Sequence, residues 1–367
     1  MEMKIAEPLA KPERNYGIDL LRIISMMMVC LLHVLGQGGI LDKCTKYSAH
    51  YELAWLMEIG AYCAVNCYAL ISGYVGIKSK YKYSNLAYIC LQVLFHMSWL
   101  ILLSPWLATW KTGIEITIDI FLGKSYWYVV AYIGLFFFMP ILNVAIENLS
   151  RRTLKYSLVA ILTCTFVLSG FHRDIFDFDG GYSVIWLMVL YLLGGYLRKY
   201  EPLKKCKPRI AFLCVIALLV ATWISKFVLG KLGIHVARIA PYENFFVSYT
   251  SITIVAVAVL LLEICSKLQF KRKPRLIAFV APLAFGVYVI HSHPLVYSHW
   301  MDKAFVSYVN YPLPLMALAA LGTTLGIFLV CIAIDYVRLQ IFKWCKVKKG
   351  LEKLETKLFK KQTDTEG

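Results

Sequence analysis

Residues 17–35, GIDLLRIISMMMVCLLHVL, make an apolar run that Asp19, Arg22 and His33 interrupt. As a helix it rises about 28 Å at 1.5 Å per residue, close to the roughly 30 Å hydrocarbon thickness of a bilayer. Arg22 and His33 are eleven positions apart. At about 100° per residue both fall on one helix face, about 16 Å apart along the axis. Asp19 precedes Arg22 by three residues, within reach of an ion pair on the same face. Charged groups inside a span are costly and face a bundle interior or a wet cavity. A plainer reading fits the same residues: Asp19 and Arg22 mark the membrane boundary, and His33 is a hydrogen-bonded packing residue.

Similar runs recur along all 367 residues, of which 59% are hydrophobic and only 17% charged. That composition excludes an ordinary soluble domain and implies a polytopic membrane protein. A formal charge of +17 would suggest a nucleic-acid partner in a soluble chain. Here the basic residues sit between spans, where topology explains them, and no nucleic-acid partner is expected. The eleven cysteines lie mostly inside apolar segments, and only Cys44 falls in a loop placed outside, so no disulfide framework is implied. Gly36-Gln37-Gly38 is a poor cleavage site and further spans follow, which argues against a removed secretory signal.

The periodicity predicts an all-α bundle of about ten transmembrane helices, near 17–36, 52–76, 84–106, 127–147, 154–171, 183–198, 210–229, 244–267, 276–299 and 314–340. With the N-terminus inside, 29 of the 39 Lys and Arg residues fall on the inner side and 9 on the outer, with Arg22 within a span. Such a bias places both termini in the cytoplasm. Arg22 then lies near the cytoplasmic face and His33 deeper, toward the far side. The tail from Lys343 to Lys361 mixes Lys with Leu and Phe, and reads as a short amphipathic helix on the anionic inner leaflet.

Other stretches carry possible chemistry. In the second helix Gly73 permits close approach of a backbone or ligand, and Ser72 can bond back to its own helix. An ordinary small-residue crossing fits equally. Cys63 and Cys67 share a face but lack His or carboxylate partners, and no metal site is expected. Ser125-Tyr126-Trp127-Tyr128 opens the fourth helix as an interfacial aromatic belt or a stacking surface. Glu115 and Asp119 precede it, and Asp174, Asp177 and Asp179 make a second acidic loop after Phe171-His172-Arg173. In the ninth helix Pro294 should break the ladder. His291 and His293 are two apart and point to different sides, with His291 buried and His299 near the outer interface.

Taken together these pieces resemble the acyltransferase 3 family of integral-membrane acyltransferases. The matching residues are Arg22 with ten residues before His33; Val65-Asn66 through Tyr68 to Ser72-Gly73-Tyr74; Trp127-Tyr128 opening a helix that ends Pro140-Ile141-Leu142-Asn143; and Gly286-Val287-Tyr288-Val289-Ile290-His291. The resemblance covers about residues 14 to 340. It departs at Lys78-Ser79-Lys80-Tyr81-Lys82, where the family often has an Arg-rich stretch with Pro, and at Asn66, where it has an acidic residue. It divides the chain into a cytoplasmic tail (1–13), an acyltransferase 3 transmembrane domain (14–340) and a basic cytoplasmic tail (341–367), a stand-alone form without an appended esterase-like domain.

The resemblance implies O-acyl transfer, usually acetyl from acetyl-CoA, to a hydroxyl of a cell-surface polysaccharide or its lipid-linked precursor. Acyl-CoA is then a donor substrate rather than a resident cofactor, and a multi-pass bacterial plasma-membrane location follows. His33 is the candidate general base, with an acyl-histidine as the variant. Arg22, positioned by Asp19, orients His33 or grips a donor phosphate. Lys80 and Lys82 are further candidates for CoA phosphates. Trp127 and Tyr128 are candidates for stacking, Ser72 and Gly73 for lining a thioester channel, and His291 for a second polar group at the site. The competing class is a transporter or flippase with His33 as proton relay. Its paired broken helices are not evident, since the one Pro-broken helix, in the ninth span, has no matching partner in the first half.

Overall fold

In the computed structural model, residues 14–102, 115, 118, 119, 126–171 and 173–363 are described. Helices dominate, and no strand occurs among these residues. Those that frame the site are α1 (Tyr16–Leu35), α2 (Ala49–Ala61), α3 (Ala64–Gly76), α4 (Tyr83–Leu102), α5 (Trp127–Asn148), α6 (Arg151–Gly170), α7 (Val184–Tyr200), α8 (Pro208–His235), α9 (Ile252–Ser266), α10 (Ala284–His291), α11 (Leu313–Trp344) and α12 (Val347–Thr363).

Six helical stretches among the described residues are long and apolar enough to cross a membrane: Tyr16–Lys43, Ala49–Gly76, Trp127–Asn148, Arg151–Ser169, Pro208–His235 and Leu313–Trp344. A seventh is added if Arg275–His291 and Pro294–Asn310, bent by 61°, form one span. All ten expected segments have a helical counterpart among the described residues, but α7 with 17 residues and α9 with 15 are too short to span by themselves, and the end of the third segment, which begins in α4, lies outside the described residues.

Several boundaries move for local reasons. The eighth segment, expected from residue 244, begins only at Ile252. Before it, Ser248 Oγ accepts from the Thr250 N–H, and Thr253 Oγ1 donates to the Phe246 carbonyl. These side chains offer the backbone an alternative to the helical ladder. The ninth segment is broken twice: by a 3₁₀ turn at Ala281–Leu283, which contains Pro282, and at Ser292-His293 ahead of Pro294. The second segment is interrupted at Tyr62-Cys63. The third segment's end (103–106), Ser125 and His172 lie outside the described residues, as do residues 1–13.

The first helix is central. Asn15 caps it by accepting from the Gly17 and Ile18 N–H groups, and Asp19 in its first turn complements the positive end of the helix dipole. It packs against α2, α3, α9, α10 and α11. Beside it, α3 crosses α7 at backbone contact. A Cβ on Gly73 would collide with the Tyr191 carbonyl, and one on Gly194 with the Leu70 carbonyl. Gly73 therefore belongs to a helix crossing, which is the plainer of the two roles open to it.

A buried polar network ties α4 to α11. Arg338 donates to both carboxylate oxygens of Asp335, at 2.9 and 2.6 Å. Gln92 Nε2 and His96 Nε2 lie 3.2 and 2.8 Å from Asp335 Oδ1, and Arg338 Nη1 donates to Tyr88 at 3.0 Å. Asp335 is fully buried and Arg338 nearly so. Neither Asp335 nor Arg338 was singled out in the sequence. The signal was present as an Asp and an Arg three apart inside an apolar run. Gly286 of α10 sits against this carboxylate, so that a Cβ there would strike Asp335. After α11, the amphipathic α12 lies along the start of α4. Glu355 accepts from the Tyr83 N–H and the Ser84 hydroxyl, and Phe359 stacks on Tyr83.

Gly286→Ala should destabilise the protein by about 1–3 kcal/mol through overpacking against Asp335. Asp335→Ala should cost about 3–5 kcal/mol, because it strands the Arg338 charge. Denaturation midpoints in detergent, compared with the unmodified chain, check both.

Candidate functional site

Two cavities meet inside the bundle. The first, about 300 Å3, lies at the Arg22 end of α1. Its wall includes Arg22, Ser72, Lys80 and Lys82, with Asn85, Asn143 and Tyr191. No carboxylate lines it among the described residues. The second, about 670 Å3, lies at the His33 end, with Trp127, Tyr182, Tyr249, Tyr297 and Glu58 around it. Tyr68, Tyr128 and Phe285 line both. These three rings form the partition between the chambers.

At the Arg22 end, Asp19 is buried and accepts from Arg22 Nη1 at 2.8 Å and also from Arg14 Nε. The pair leaves the Arg22 side chain one-third exposed (33%) and facing the cavity. Neutralising one oxygen of Asp19 with each arginine leaves the rest of the Arg22 fork to face an anion. Tyr68 donates its hydroxyl to the Arg22 carbonyl at 2.9 Å, which holds the partition against α1. Ser72 lines the cavity while its hydroxyl donates to the Tyr68 carbonyl at 2.9 Å. Lys82 Nζ lies 3.6 Å from Glu352 of α12, an exposed pair of little energetic weight. Asn66 faces neither cavity. It is fully buried, donates to the Tyr249 carbonyl at 2.8 Å and accepts from Trp186 Nε1 at 3.1 Å.

At the other end His33 meets His291. His33 Nδ1 and His291 Nε2 are 2.9 Å apart, and His291 Nδ1 lies 2.6 Å from the Val287 carbonyl. A carbonyl can only accept, so the proton of neutral His291 is on Nδ1 and its Nε2 is an acceptor. His33 must then donate from Nδ1. The lone pair of His33 is left on Nε2, which makes no hydrogen bond among the described residues. The His33 ring borders the larger cavity, with Tyr297 edge-on at 5.3 Å between centroids. The break ahead of Pro294 ends α10 at His291 and turns His293 away, toward Tyr126.

Aromatic rings cover one wall of this chamber in a chain. Trp127 meets Tyr182 at 4.7 Å, Tyr182 meets Tyr249 at 5.1 Å, and Tyr249 meets Tyr62 at 4.9 Å. Tyr126 holds a left-handed backbone (φ 56°) and donates its hydroxyl to the Val289 carbonyl at 2.6 Å, fixing where α5 and Trp127 begin. Such strained conformations in bulky residues are uncommon and collect at functional sites. Of the residues singled out in the sequence, the structure thus brings Arg22, Ser72, Lys80 and Lys82 to one chamber and His33 and Trp127 to the other. Tyr128 lies between them, His291 stands behind His33, and Gly73 packs against α7. Glu58, Tyr62, Tyr182, Tyr249 and Tyr297 were missed. They come from elements far apart in the chain, and a lone Tyr in an apolar run carries no sequence signal of its own.

A membrane-type helical bundle with a cationic chamber, a histidine pair and an aromatic chamber defines the class of protein. A family model described as an acyltransferase domain matches residues 15–335. The chain belongs to the acyltransferase 3 family. Searches of the curated proteins and of the solved structures find no match.

The hydrogen-bond chain predicts that both imidazoles carry their proton on Nδ1 when neutral. Nitrogen NMR of protein labelled with ¹⁵N-histidine should show this tautomer for His33 and His291, with the signals assigned through His33→Ala and His291→Ala.

Proposed function

We propose that the protein transfers an acyl group, acetyl in the simplest case, from acyl-CoA to a hydroxyl of a cell-surface glycan or its lipid-linked precursor. One observation carries the reading: a histidine on the wall of one chamber, its Nε2 without a hydrogen-bond partner among the described residues, next door to a cationic chamber that shares part of its wall. The cationic chamber suits a phosphorylated donor. Arg22, Lys80 and Lys82 supply three positive charges there, and the guanidinium matches phosphate geometry. Combined cavity volume falls within the range of ligand pockets. The thioester arm of the donor passes the partition of Tyr68, Tyr128 and Phe285 and presents its carbonyl carbon beside His33.

In this reading the acceptor occupies the aromatic chamber with its hydroxyl on His33 Nε2. Its oxygen attacks the thioester carbonyl as Nε2 takes the proton, and the C–S bond of the tetrahedral intermediate then breaks as the His33 imidazolium returns that proton to the leaving sulfur, releasing CoA as the thiol and the acyl group as an ester. His291 acts as a positioning residue. Its Nε2 holds the His33 Nδ1 proton, keeps the reactive tautomer and spreads the charge of the imidazolium as it forms. The positive-inside bias puts the Arg22 chamber toward the cytoplasm, where acyl-CoA is made, and the His33 chamber toward the cell surface.

Membranes or purified protein given radiolabelled acetyl-CoA and a glycan extract should form an alkali-labile glycan ester. His33→Ala should lower the rate by about 10²–10⁴-fold, the usual contribution of a positioned base. Arg22→Ala should act mainly by raising KM for the donor. His291→Ala should lower kcat with little change in donor KM, and His291→Gln, whose amide oxygen can accept from His33, should restore part of it. A His33→Ala protein that is folded and fully active would overturn the mechanism.

A further inference from the structure

The larger chamber carries carboxylates and no compensating cation. Glu58 of α2 lines it, is 8% exposed, and its Oε2 has no hydrogen-bond partner. Asp302 lines the rim and accepts from Gln37 at 2.9 Å. No lysine or arginine lines this chamber among the described residues. The rest of the wall is His33, Gln37, aromatic faces and aliphatic side chains, with the hydroxyls of Ser292 and Ser298. The neighbouring chamber has the opposite sign, with three cations and no carboxylate among the described residues.

A buried carboxyl without a full set of partners is costly, and one on a cavity wall is a polar group whose charge or hydrogen bonding a ligand there must meet. Ionised, Glu58 favours an ammonium or accepts from hydroxyls. Protonated, it donates one hydrogen bond and accepts others. In neither state does it offer a counter-charge to an anion, and His33, the basic ring on this wall, has no N–H left to offer in the neutral tautomer that His291 sets. Aromatic rings take the apolar face of a sugar ring, and they attract an ammonium group by cation–π interaction.

We propose that the His33 chamber admits uncharged or amine-bearing sugars and excludes anionic ones, with Glu58 as the residue that reads the difference. The inference rests on the chamber being the acceptor side of the proposed acyl transfer, and it narrows the acceptor to glycans whose reacting residue bears no carboxylate, phosphate or sulfate. It also separates the two ligands by charge. The anionic donor is held on one side of the partition, and the wall on the other side repels it.

The test uses the full chain in detergent and three soluble probes that differ in one substituent: p-nitrophenyl β-glucoside, p-nitrophenyl β-glucosaminide and p-nitrophenyl β-glucuronide. Saturation-transfer difference NMR titrations rank their affinities without requiring acyl transfer. The glucoside and glucosaminide should bind, and the glucuronide should bind at least tenfold more weakly. Glu58→Gln should lower glucosaminide affinity about tenfold relative to the glucoside. Ser298→Lys, on the exposed rim of the same chamber, should raise glucuronide affinity about tenfold, and it keeps the proposal testable if Glu58→Gln does not accumulate. A glucuronide that binds as tightly as the glucoside overturns the proposal. So does an unchanged ranking in a folded Glu58→Gln, or the binding of none of the probes. If the ranking and its Glu58 dependence hold while labelled acetyl-CoA yields no ester, acyl transfer fails and the charge selectivity stands. Ester formation without the ranking removes the selectivity alone.

Discussion

The hydrogen bond from His33 Nδ1 to His291 Nε2 joins the first helix to a broken one, and much of the bundle serves to hold those two rings in register. His33 is fixed by α1, which packs against α2, α3, α9, α10 and α11 among others. His291 is fixed by a helix only eight residues long, with Pro282 interrupting the chain before it and Pro294 after it. So short a helix has little stability of its own. It is held by its surroundings: Gly286 lies against Asp335, and the Asp335–Arg338–His96 network locks α11 to α4 behind it. A polar cluster with no place in either chamber therefore bears on the geometry of the histidine pair.

The same logic governs the other end of α1. A carboxylate and two arginines would be unfavourable in an apolar interior as separate charges. As a cluster they are satisfied, and Asp19 spends its two oxygens on Arg14 and Arg22. What remains of Arg22 faces the cavity. Charge burial here does two things at once: it anchors the start of the helix and orients a donor toward open space.

Much of this was legible in the sequence because it depends on one helix. The Arg22–His33 spacing, the Asp19–Arg22 pair, the Pro294 break and the back-bond from Ser72 all follow from residues close in the chain. Those local rules are strong. The number of spans was less legible, since α7 and α9 are too short to cross alone and the turns of residues 244–251 look apolar when read as a string. Gly73 showed the limit of reading a motif from composition. A glycine that allows close approach does not say what approaches, and here it is the backbone of Tyr191. The His33–His291 contact was the hardest to see. The two residues lie 258 positions apart, and only packing decides that they meet.

The partition between the chambers has one more property. Tyr68, Tyr128 and Phe285 line both cavities, and the rings of Tyr68 and Tyr128 lie 6.2 Å apart. A ligand that displaces one of these rings from its own side changes the shape of the other chamber. Thermodynamic linkage makes that influence mutual: whatever factor the first ligand applies to the second's affinity, the second applies in return. The two chambers are in this sense a single binding system with two mouths.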